Sequence, residues 1–234
     1  MATHKLTRQA KSRIDESVKY YMANQSLFDG FARALMGYFQ TDAKIAPYIH
    51  FIKYRLKDPQ HLREKLVHKA KKGDIIDKSR LFARITDLAG IRIIHLHTSQ
   101  MKSMHQAILA VLEEQQLRLV EKPNANCWDI EYETIFKSFG IAPRPRGSMY
   151  TTVHYVIRAN QKTKVTCEVQ VRTLMDEVWG EVSHRVNYPA ESPSSSCRSQ
   201  LKVLARLTSG CTRLVDSIFE SHLDASKTGS VNPT

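Results

Sequence analysis

The sequence lacks long hydrophobic segments, paired cysteine motifs and internal repeats. No apolar run approaches the roughly 18 residues that crossing a bilayer needs, which excludes a membrane span. The four cysteines, at positions 127, 167, 197 and 211, form no C-x-x-C pair, and the basic first residues are not followed by an apolar signal core. We therefore expect a cytoplasmic protein with reduced thiols.

Positive charge and a moderate apolar content are what the chain does have. Its 234 residues are 42% hydrophobic and 25% charged, enough to bury one main core and to carry helical extensions. The formal net charge is +12 and the isoelectric point lies near 9.6. This excess predicts affinity for polyanions, but it does not distinguish nucleotides from nucleic acid or an anionic surface.

The most informative stretch is EVQVRTLMDEVWGEVSHRVNY, residues 168–188. Glu168, Gln170 and Arg172 alternate with valines, so a carboxylate, an amide and a guanidinium share one face of a predicted strand. Thr173 offers an N-cap oxygen. Apolar side chains then recur every fourth residue and predict an amphipathic helix, at Leu174, Val178, Val182 and Val186. A polar strand face that leads directly into a helix is a plausible site.

A second strand-to-helix junction carries basic side chains. Residues 48–57 alternate as a strand with a basic row, and Asp58-Pro59 begins a basic helix. Arg55, Lys57 and Lys65 can converge there, where positive charge and free backbone N–H groups favour phosphate. A solvated charged face would give the same pattern.

An acidic residue and an aromatic face complete the set of candidates. Asp87 precedes the apolar run 91–96, a predicted buried strand, where a carboxylate could hold a metal ion or cap the preceding turn. Residues 149–158 predict a strand with Tyr150 and His154 on one face, and Arg144 and Arg146 lie just before it. Such a face suits base stacking and phosphate contact, although an ordinary sheet surface has the same period.

The remaining segments predict mainly helices. Helical patterning covers residues 5–40, as two helices, and then 74–86, 99–116 and 199–222. A short strand is predicted at 117–123, a long irregular connection at 124–147 and a turn at 160–162. The prediction is an α/β fold with a mixed sheet of about five strands against helices.

Several of these stretches together resemble the synthetase domain of the RelA/SpoT alarmone enzymes. They are IKYRLKDPQHLREKL, DLAGIRI, RGSMYTTVHYVI and EVQVRTLMDEVWGEVSHRVNY, in matching order over about residues 48–190. The resemblance implies a nucleotidyltransferase-like synthetase fold. It also implies a pyrophosphokinase that moves the β,γ-diphosphate of ATP to the ribose 3′-hydroxyl of GDP or GTP, with magnesium.

The resemblance assigns roles residue by residue. Asp87 and Glu168 match the acidic residues that hold magnesium and carry catalysis. Basic residues and an arginine of the E-x-Q-x-R-T signature match positions that bind ATP and its phosphates, namely Arg55, Lys57, Lys65, Arg92 and Arg172. The acceptor nucleotide is assigned to Arg144, Arg146, Tyr150, His154 and Gln170, with Tyr150 stacking on the guanine.

The expected organisation follows from the matched range. Residues 1–44 form N-terminal helices that pack on the core, and residues 45–190 form the synthetase domain. Residues 191–224 form a C-terminal helical extension with enough apolar surface to dock on the chain itself or to build a homo-oligomer. Residues 225–234 are small and polar and are expected to be disordered.

Three other functions stay open. Some relatives of this family are toxins that place pyrophosphate on the 3′ end of tRNA. The basic charge, and Met149 before Tyr150 where the family usually has glycine, keep that alternative open behind a free guanine nucleotide. A non-catalytic nucleic-acid-binding module would explain the charge but not the two carboxylates among the cations. A silent nucleotide sensor would use the same pocket. The hydrolase of the family is disfavoured because the sequence has no His-Asp dipeptide.

Overall fold

A mixed sheet of seven strands forms the centre of the computed structural model, which describes residues 6–160, 163–187 and 191–228. The strands lie in the order β1-β2-β7-β6-β4-β5, and β3 pairs with β6. The pairs β2-β7 and β4-β5 are parallel and the others antiparallel. Their bounds are β1 Phe51–Leu56, β2 Ala89–His95, β3 Arg118–Leu119, β4 Asn124–Cys127, β5 Ala142–Pro145, β6 Thr152–Arg158 and β7 Thr166–Thr173.

Helices lie on both sides of this sheet. Their bounds are α1 Arg8–Ala23, α2 Gln25–Thr41, α3 Pro59–Lys71, α4 Leu81–Arg84, α5 Gln100–Glu114, α6 Ile130–Ser138, α7 Leu174–Asn187 and α8 Ser195–Thr228, with a short 3-10 helix at Ala46–Tyr48. The α3 helix begins at the predicted place because Asp58 accepts hydrogen bonds from the backbone N–H groups of Gln60 and His61. The prediction of a mixed α/β sheet flanked by helices is confirmed.

The core lies on the sheet face opposite the polar row. Ile91 and Ile93 of β2 and Val169 and Val171 of β7 are buried there with apolar side chains of α2 and α5. Because side chains alternate along a strand, this burial leaves the intervening positions of β2 and β7 on the other face. That face is covered in part by α7, which contacts both strands.

The segment 124–147, predicted as an irregular connection, is ordered as β4, α6 and β5. This prediction was wrong because neither strand shows the period of a half-buried strand. All four residues of β4 are buried, and β5 contains Pro143 and Pro145. Proline donates no backbone hydrogen bond, and β5 tolerates it as the last strand of the sheet. These two strands raise the strand number from about five to seven.

Two helix predictions also need correction. Of residues 74–86 only Leu81–Arg84 is helical, because Asp77 accepts hydrogen bonds from the N–H groups of Ser79 and Arg80 and so holds a turn. The helix α7 forms where expected, and Thr173 caps it by accepting from the N–H of Asp176 at 3.2 Å. Its buried residue is Trp179, however, whereas Val178 and Val182 of the apolar repeat are exposed.

The C-terminal helix α8 is longer than its sequence pattern indicates and continues to Thr228. Three predicted features fall on residues outside the described part of the chain: the turn residues Gln161 and Lys162, Tyr188 at the end of the signature stretch, and residues 229–234 of the tail. All four cysteines are free. Within the described residues, none of the helices combines the length and the apolar character that crossing a membrane requires.

Candidate functional site

The polar face of the sheet brings four strands side by side. In one row across the sheet, Lys53 of β1 pairs with Arg92 of β2, Arg92 with Gln170 of β7, and Gln170 with His154 of β6. The shared face predicted for β7 therefore continues across its neighbours. Charged and amide side chains of distant sequence segments meet here because the strand register aligns them.

The next row places Gly90 between Arg55 and Glu168. A Cβ atom at Gly90 would lie 3.6 Å from the carbonyl oxygen of Glu168, an ordinary contact, so the backbone does not demand glycine here. The nearest side-chain atoms, Cγ and Nε of Arg55, would lie 3.9 Å from that Cβ atom. The sequence reading did not single out this glycine.

A cavity of about 610 Å³ lies between this sheet face and α7. Its size suits a nucleotide-sized ligand. From the sheet and its loops it is lined by Lys53, Tyr54, Arg55, Asp87, Gly90, Ile91, Arg92, Ser148, Tyr150, Glu168, Gln170 and Arg172. From α7 it is lined by Trp179, Gly180, Glu181, Ser183, His184 and Asn187.

Asp87 lies at the entrance to β2 between two lysines. Its Oδ1 accepts a hydrogen bond from Nζ of Lys65 at 2.7 Å, and its Oδ2 accepts one from Nζ of Lys57 at 3.0 Å. Burial raises the pKa of Asp87, but the two ammonium groups outweigh this effect and lower the pKa to about 2. The convergence of Lys57 and Lys65 predicted from the sequence is thus present, and it is centred on Asp87.

Glu168 is the second carboxylate that lines the cavity. Its Oε1 accepts a hydrogen bond from Nε2 of Gln170 at 2.7 Å, and its Oε2 lies 3.7 Å from Nδ1 of His154. Burial raises the pKa of Glu168, yet the nearby His154 ring and Gln170 amide leave it below its ordinary value. Both carboxylates are therefore ionised at neutral pH.

The two carboxylates suit a hard cation that also binds phosphate. Mg²⁺ prefers oxygen ligands and commonly takes only one or two carboxylates, with water and substrate phosphates as the other ligands. Among the described residues there is no cluster of three or more His, Cys, Asp or Glu side chains that could hold a metal ion. A cation held by Asp87 and Glu168 would thus depend on ligands from the substrate.

Tyr150, just before β6, also lines the cavity. The guanidinium of Arg172 lies over its ring, 5.4 Å from the ring centroid, and its hydroxyl lies 3.4 Å from Oε1 of Gln170. Burial raises the pKa of Tyr150, so the hydroxyl keeps its proton. Arg172 is 3% exposed and forms an ion pair with Glu177 of α7. One face of the tyrosine ring is therefore occupied by an arginine that α7 fixes in place.

The arginines predicted for acceptor phosphate lie apart from this group. Arg144 belongs to β5 at the far edge of the sheet, and Arg146 follows directly after that strand. Nε of Arg146 donates to Oδ1 of Asn126 at 2.7 Å. Neither arginine lines the cavity, in contrast to Arg55, Arg92 and Arg172.

Two acidic residues at the cavity escaped the sequence reading. Nη1 of Arg92 donates to Oε1 of Glu177 at 2.8 Å and to Oε1 of Glu181 at 2.6 Å. Nζ of Lys53 lies 3.5 Å and 3.9 Å from the same two atoms. The spacing of four residues puts both carboxylates on one face of α7. That spacing was the signal available in the sequence, directly after a strand whose last two residues are Arg172 and Thr173.

Comparisons with known proteins agree with this architecture. The chain is 25% identical over 145 residues to the GTP pyrophosphokinase YwaC of Bacillus subtilis (strain 168), covering 60% of this chain. It spans 59% of the length of that curated relative. A GTP pyrophosphokinase family protein from Streptococcus pneumoniae superposes with a TM-score of 0.60 at 20% identity, covering 97% of this chain and all of the other.

A second solved structure shares the fold. It is the small alarmone synthetase 1 from Bacillus subtilis bound to its product pppGpp, with a TM-score of 0.57, 17% identity and coverage of 86% of this chain and 93% of that one. The sequence model of the family described as "Region found in RelA / SpoT proteins" matches residues 54–193, which is more than half of the chain. This chain belongs to the RelA/SpoT family.

Proposed function

We propose that this protein is a magnesium-dependent (p)ppGpp synthetase, a GTP/GDP pyrophosphokinase. It would transfer the β,γ-pyrophosphate of ATP to the ribose 3′-hydroxyl of GDP or GTP and release AMP. The observation that carries the proposal is that Asp87 and Glu168, both ionised, line a cavity that is otherwise rich in basic side chains. On a surface that only binds polyanions, carboxylates among the basic side chains would repel the ligand and weaken binding.

The basic side chains form the part of the site that we assign to ATP, the pyrophosphate donor. Arg55 and Arg92 line the cavity, and Lys57 and Lys65 lie against Asp87 at its edge. They would bind the triphosphate of ATP and balance the charge that develops on AMP as it leaves. Phosphoryl-type transfer requires little covalent participation by the protein. Positioning of the substrates and neutralisation of their charge would therefore provide most of the catalysis.

The acceptor half is built around Tyr150. We assign the guanine to stacking on its ring. Gln170 contacts both the Tyr150 hydroxyl and Glu168, and the His154 ring packs edge-on against the Tyr150 ring, so these two residues would fix the positions of Tyr150 and Glu168. The 3′-oxygen would then attack the β-phosphorus while the bridge oxygen between the α- and β-phosphorus atoms leaves with AMP. Glu168 would take the proton of the 3′-hydroxyl.

Magnesium, when bound, would neutralise the phosphate oxygens and help to align them with the attacking oxygen. Asp87 and Glu168 would hold it. Because both carboxylates are already ionised at neutral pH, no proton has to leave the protein before the cation binds. We also propose that the protein acts in the cytoplasm, where its free thiols stay reduced.

A second acceptor is favoured by one observation. The net charge of +12 exceeds what a free nucleotide needs and suits the phosphate backbone of tRNA. In that case the 3′ end of tRNA would take the position proposed for GDP or GTP. Arg144 and Arg146, at the far edge of the sheet, would then contact the tRNA body rather than the reacting nucleotide.

The experiment that tests the proposal offers three acceptors separately. The purified protein is incubated with γ-labelled ATP and magnesium and with GDP, GTP or deacylated tRNA, and the products are resolved. We expect label on GDP or GTP. Label on tRNA alone would replace the proposal with the second candidate, and label on none of them would favour a silent nucleotide-binding relative.

We propose further that α8 joins two copies of the chain. One face of this helix packs on the body, where the ring of Phe219 stacks on His97 with centroids 4.4 Å apart. Its opposite side leaves large apolar residues exposed, namely Val203, Leu207, Leu214 and Ile218. A stripe of this length is self-complementary when two identical helices lie antiparallel, and an unlike partner need not be invoked.

Light scattering coupled to size exclusion tests this association. We expect a dimer or higher oligomer, and a monomer when Leu207 and Leu214 are both changed to Glu. Lys202→Glu on the same helix is the matched control, since it adds a carboxylate outside the stripe. A monomeric wild-type protein at micromolar concentration would contradict the proposal.

A further inference from the structure

Another, much smaller cavity lies where the turn before α5, the helix α6, the start of β6 and the junction of β7 with α7 meet. Its volume is about 10 Å³, close to the least that holds one water molecule. The polar residues that matter for its chemistry are Thr98, Tyr132, Thr151, Arg172, Thr173 and Asp176, all of which line it. The cavity is thus both very small and polar.

Three of the residues that line this cavity carry hydroxyl groups without a partner. Thr98 and Thr151 are each 4% exposed, and Tyr132 is 2% exposed. Within the described part of the chain, none of their three hydroxyl oxygens has a hydrogen-bond partner. A buried polar group without a partner destabilises the fold, and native proteins contain few of them. Three of them around one cavity point to a ligand that does not belong to the chain.

The hydroxyl group of Tyr132 has several polar neighbours. Burial raises the pKa of Tyr132, the negative charge of Asp176 raises it further, and the hydroxyls of Ser209 and Thr98 lower it. These groups therefore lie close to the tyrosine oxygen, although among the described residues none is in hydrogen-bonding geometry with it. A small molecule that both donates and accepts hydrogen bonds could connect them.

Asp176 supplies an acceptor at the same place. Its Oδ2 accepts a hydrogen bond from the hydroxyl of Thr173 at 2.6 Å. Burial raises the pKa of Asp176 to about 6, because the Thr173 hydroxyl and the positive charge of Arg172 offset the loss of hydration only in part. A buried carboxylate is stabilised by every further donor that reaches it. The cavity thus combines hydroxyls that lack partners with a carboxylate that needs donors.

We propose that this cavity is a binding site for one water molecule, which joins the hydroxyls of Thr98, Tyr132 and Thr151 to the carboxylate of Asp176. A buried water makes two to four hydrogen bonds, which matches these four groups. A monovalent cation fits the site less well, because it would leave the hydroxyl protons without an acceptor. The guanidinium-bearing residue Arg172 also lines the cavity and disfavours a second positive charge.

The water links parts of the chain that are far apart in sequence. Thr98 lies just before α5, Tyr132 belongs to α6 and Asp176 to α7. Thr151 directly follows Tyr150, so the water also helps to hold the backbone from which that residue reaches the larger cavity. The inference goes beyond the proposed function and does not depend on it, since its tests measure stability and hydration and need no turnover.

The sign of a change in melting temperature tests the proposal. Thr98→Val and Thr151→Val remove one hydroxyl each and keep the shape of the side chain. If the hydroxyl binds the water, its removal costs a hydrogen bond, and we expect the melting temperature to fall by about 2–4 °C. If the hydroxyl has no partner, its removal relieves an unpaired buried group and the melting temperature rises. Thr134→Val, on the exposed side of α6, is the matched control and should change nothing.

A melting temperature that is unchanged or higher in either cavity variant would overturn the proposal. A high-resolution crystal structure of the wild-type protein tests it independently of any variant that fails to fold. We expect one density peak within hydrogen-bonding distance of the three hydroxyls and of Asp176. A cavity without density would overturn the proposal, and so would anomalous scattering from it after a rubidium or thallium soak, which would identify a cation site instead.

Discussion

Replacement of Asp87 by Asn should make the unfolding free energy of the protein vary less with pH in the acid range. The carboxylate holds Lys57 and Lys65 at 3.0 Å and 2.7 Å, and its side chain is 15% exposed. The ammonium groups lower its pKa from an ordinary value of 3.8 to about 2 despite burial. This difference corresponds to roughly 2 kcal/mol of unfolding free energy.

The direction of the pH dependence follows from the lowered pKa. Because the unfolded chain binds the proton of Asp87 more readily than the folded chain, the stabilisation is fully present above about pH 4. It is lost as the pH falls towards 2, and about half of it is gone near pH 3. The Asp87→Asn variant has no ionisable group at this position. The difference in unfolding free energy between wild type and variant should therefore become smaller on acidification.

Urea unfolding monitored by tryptophan fluorescence at pH 7 and pH 3 measures this difference in unfolding free energy. We expect the variant to be less stable by roughly 2 kcal/mol at pH 7 and by about half as much at pH 3. Asp15→Asn is the control, because its pair with Arg63 is about half exposed on both sides and contributes little. A gap that is the same at both pH values would refute the electrostatic reasoning.

Three further outcomes are expected from the geometry of the cavity. Glu168→Gln should fold normally and lose about two orders of magnitude or more in turnover, because it removes the group that we propose as the acceptor of the 3′-hydroxyl proton; initial rates measure this. Tyr150→Ala should raise the KM for the acceptor by about ten- to a hundredfold while Tyr150→Phe keeps most of the affinity, as expected for stacking. Gly180→Ala should lower the melting temperature, because a Cβ atom there would collide with Nη1 of Arg172. Gly210→Ala on α8 meets no atom within 4 Å and should raise it slightly, because alanine favours a helix more than glycine does.

Strand periodicity explains how much of the site was predictable. Alternation alone put Glu168, Gln170 and Arg172 on one face and aligned the basic row of β1. The structure brings these rows together because parallel pairing of β2 with β7 sets Arg92 opposite Gln170. Local patterns determine which face a side chain takes, so this part of the cavity follows from sequence.

The face through which α7 packs on the rest of the protein could not be predicted from local sequence patterns. Its apolar repeat predicted the wrong buried face, because the helix packs through Trp179, whose indole N–H donates to the carbonyl oxygen of Leu201 at 3.0 Å. Val178 and Val182 are consequently exposed, and Glu177 and Glu181 turn towards the sheet. Contacts between elements far apart in sequence decided this orientation, and no local period encodes them.

The same limit applies to the far edge of the sheet. Arg144 and Arg146 are close to Tyr150 in sequence, which suggested a shared acceptor site. In the structure β5 pairs with β4, so two strands separate these arginines from β7. Their assignment to the acceptor stays a prediction, as does the division of the chain at residues 44, 190 and 224.

Single-turnover transfer from γ-labelled ATP to GDP tests the central claim most directly. The wild type and the variants Asp87→Asn and Glu168→Gln are compared with magnesium present, and both the labelled acceptor and the nucleotide by-product are identified. We expect the wild type to form labelled guanosine 3′-diphosphate product with one AMP per transfer, and both variants to be nearly inactive. Release of ADP in place of AMP, or undiminished transfer by both variants, would contradict the account.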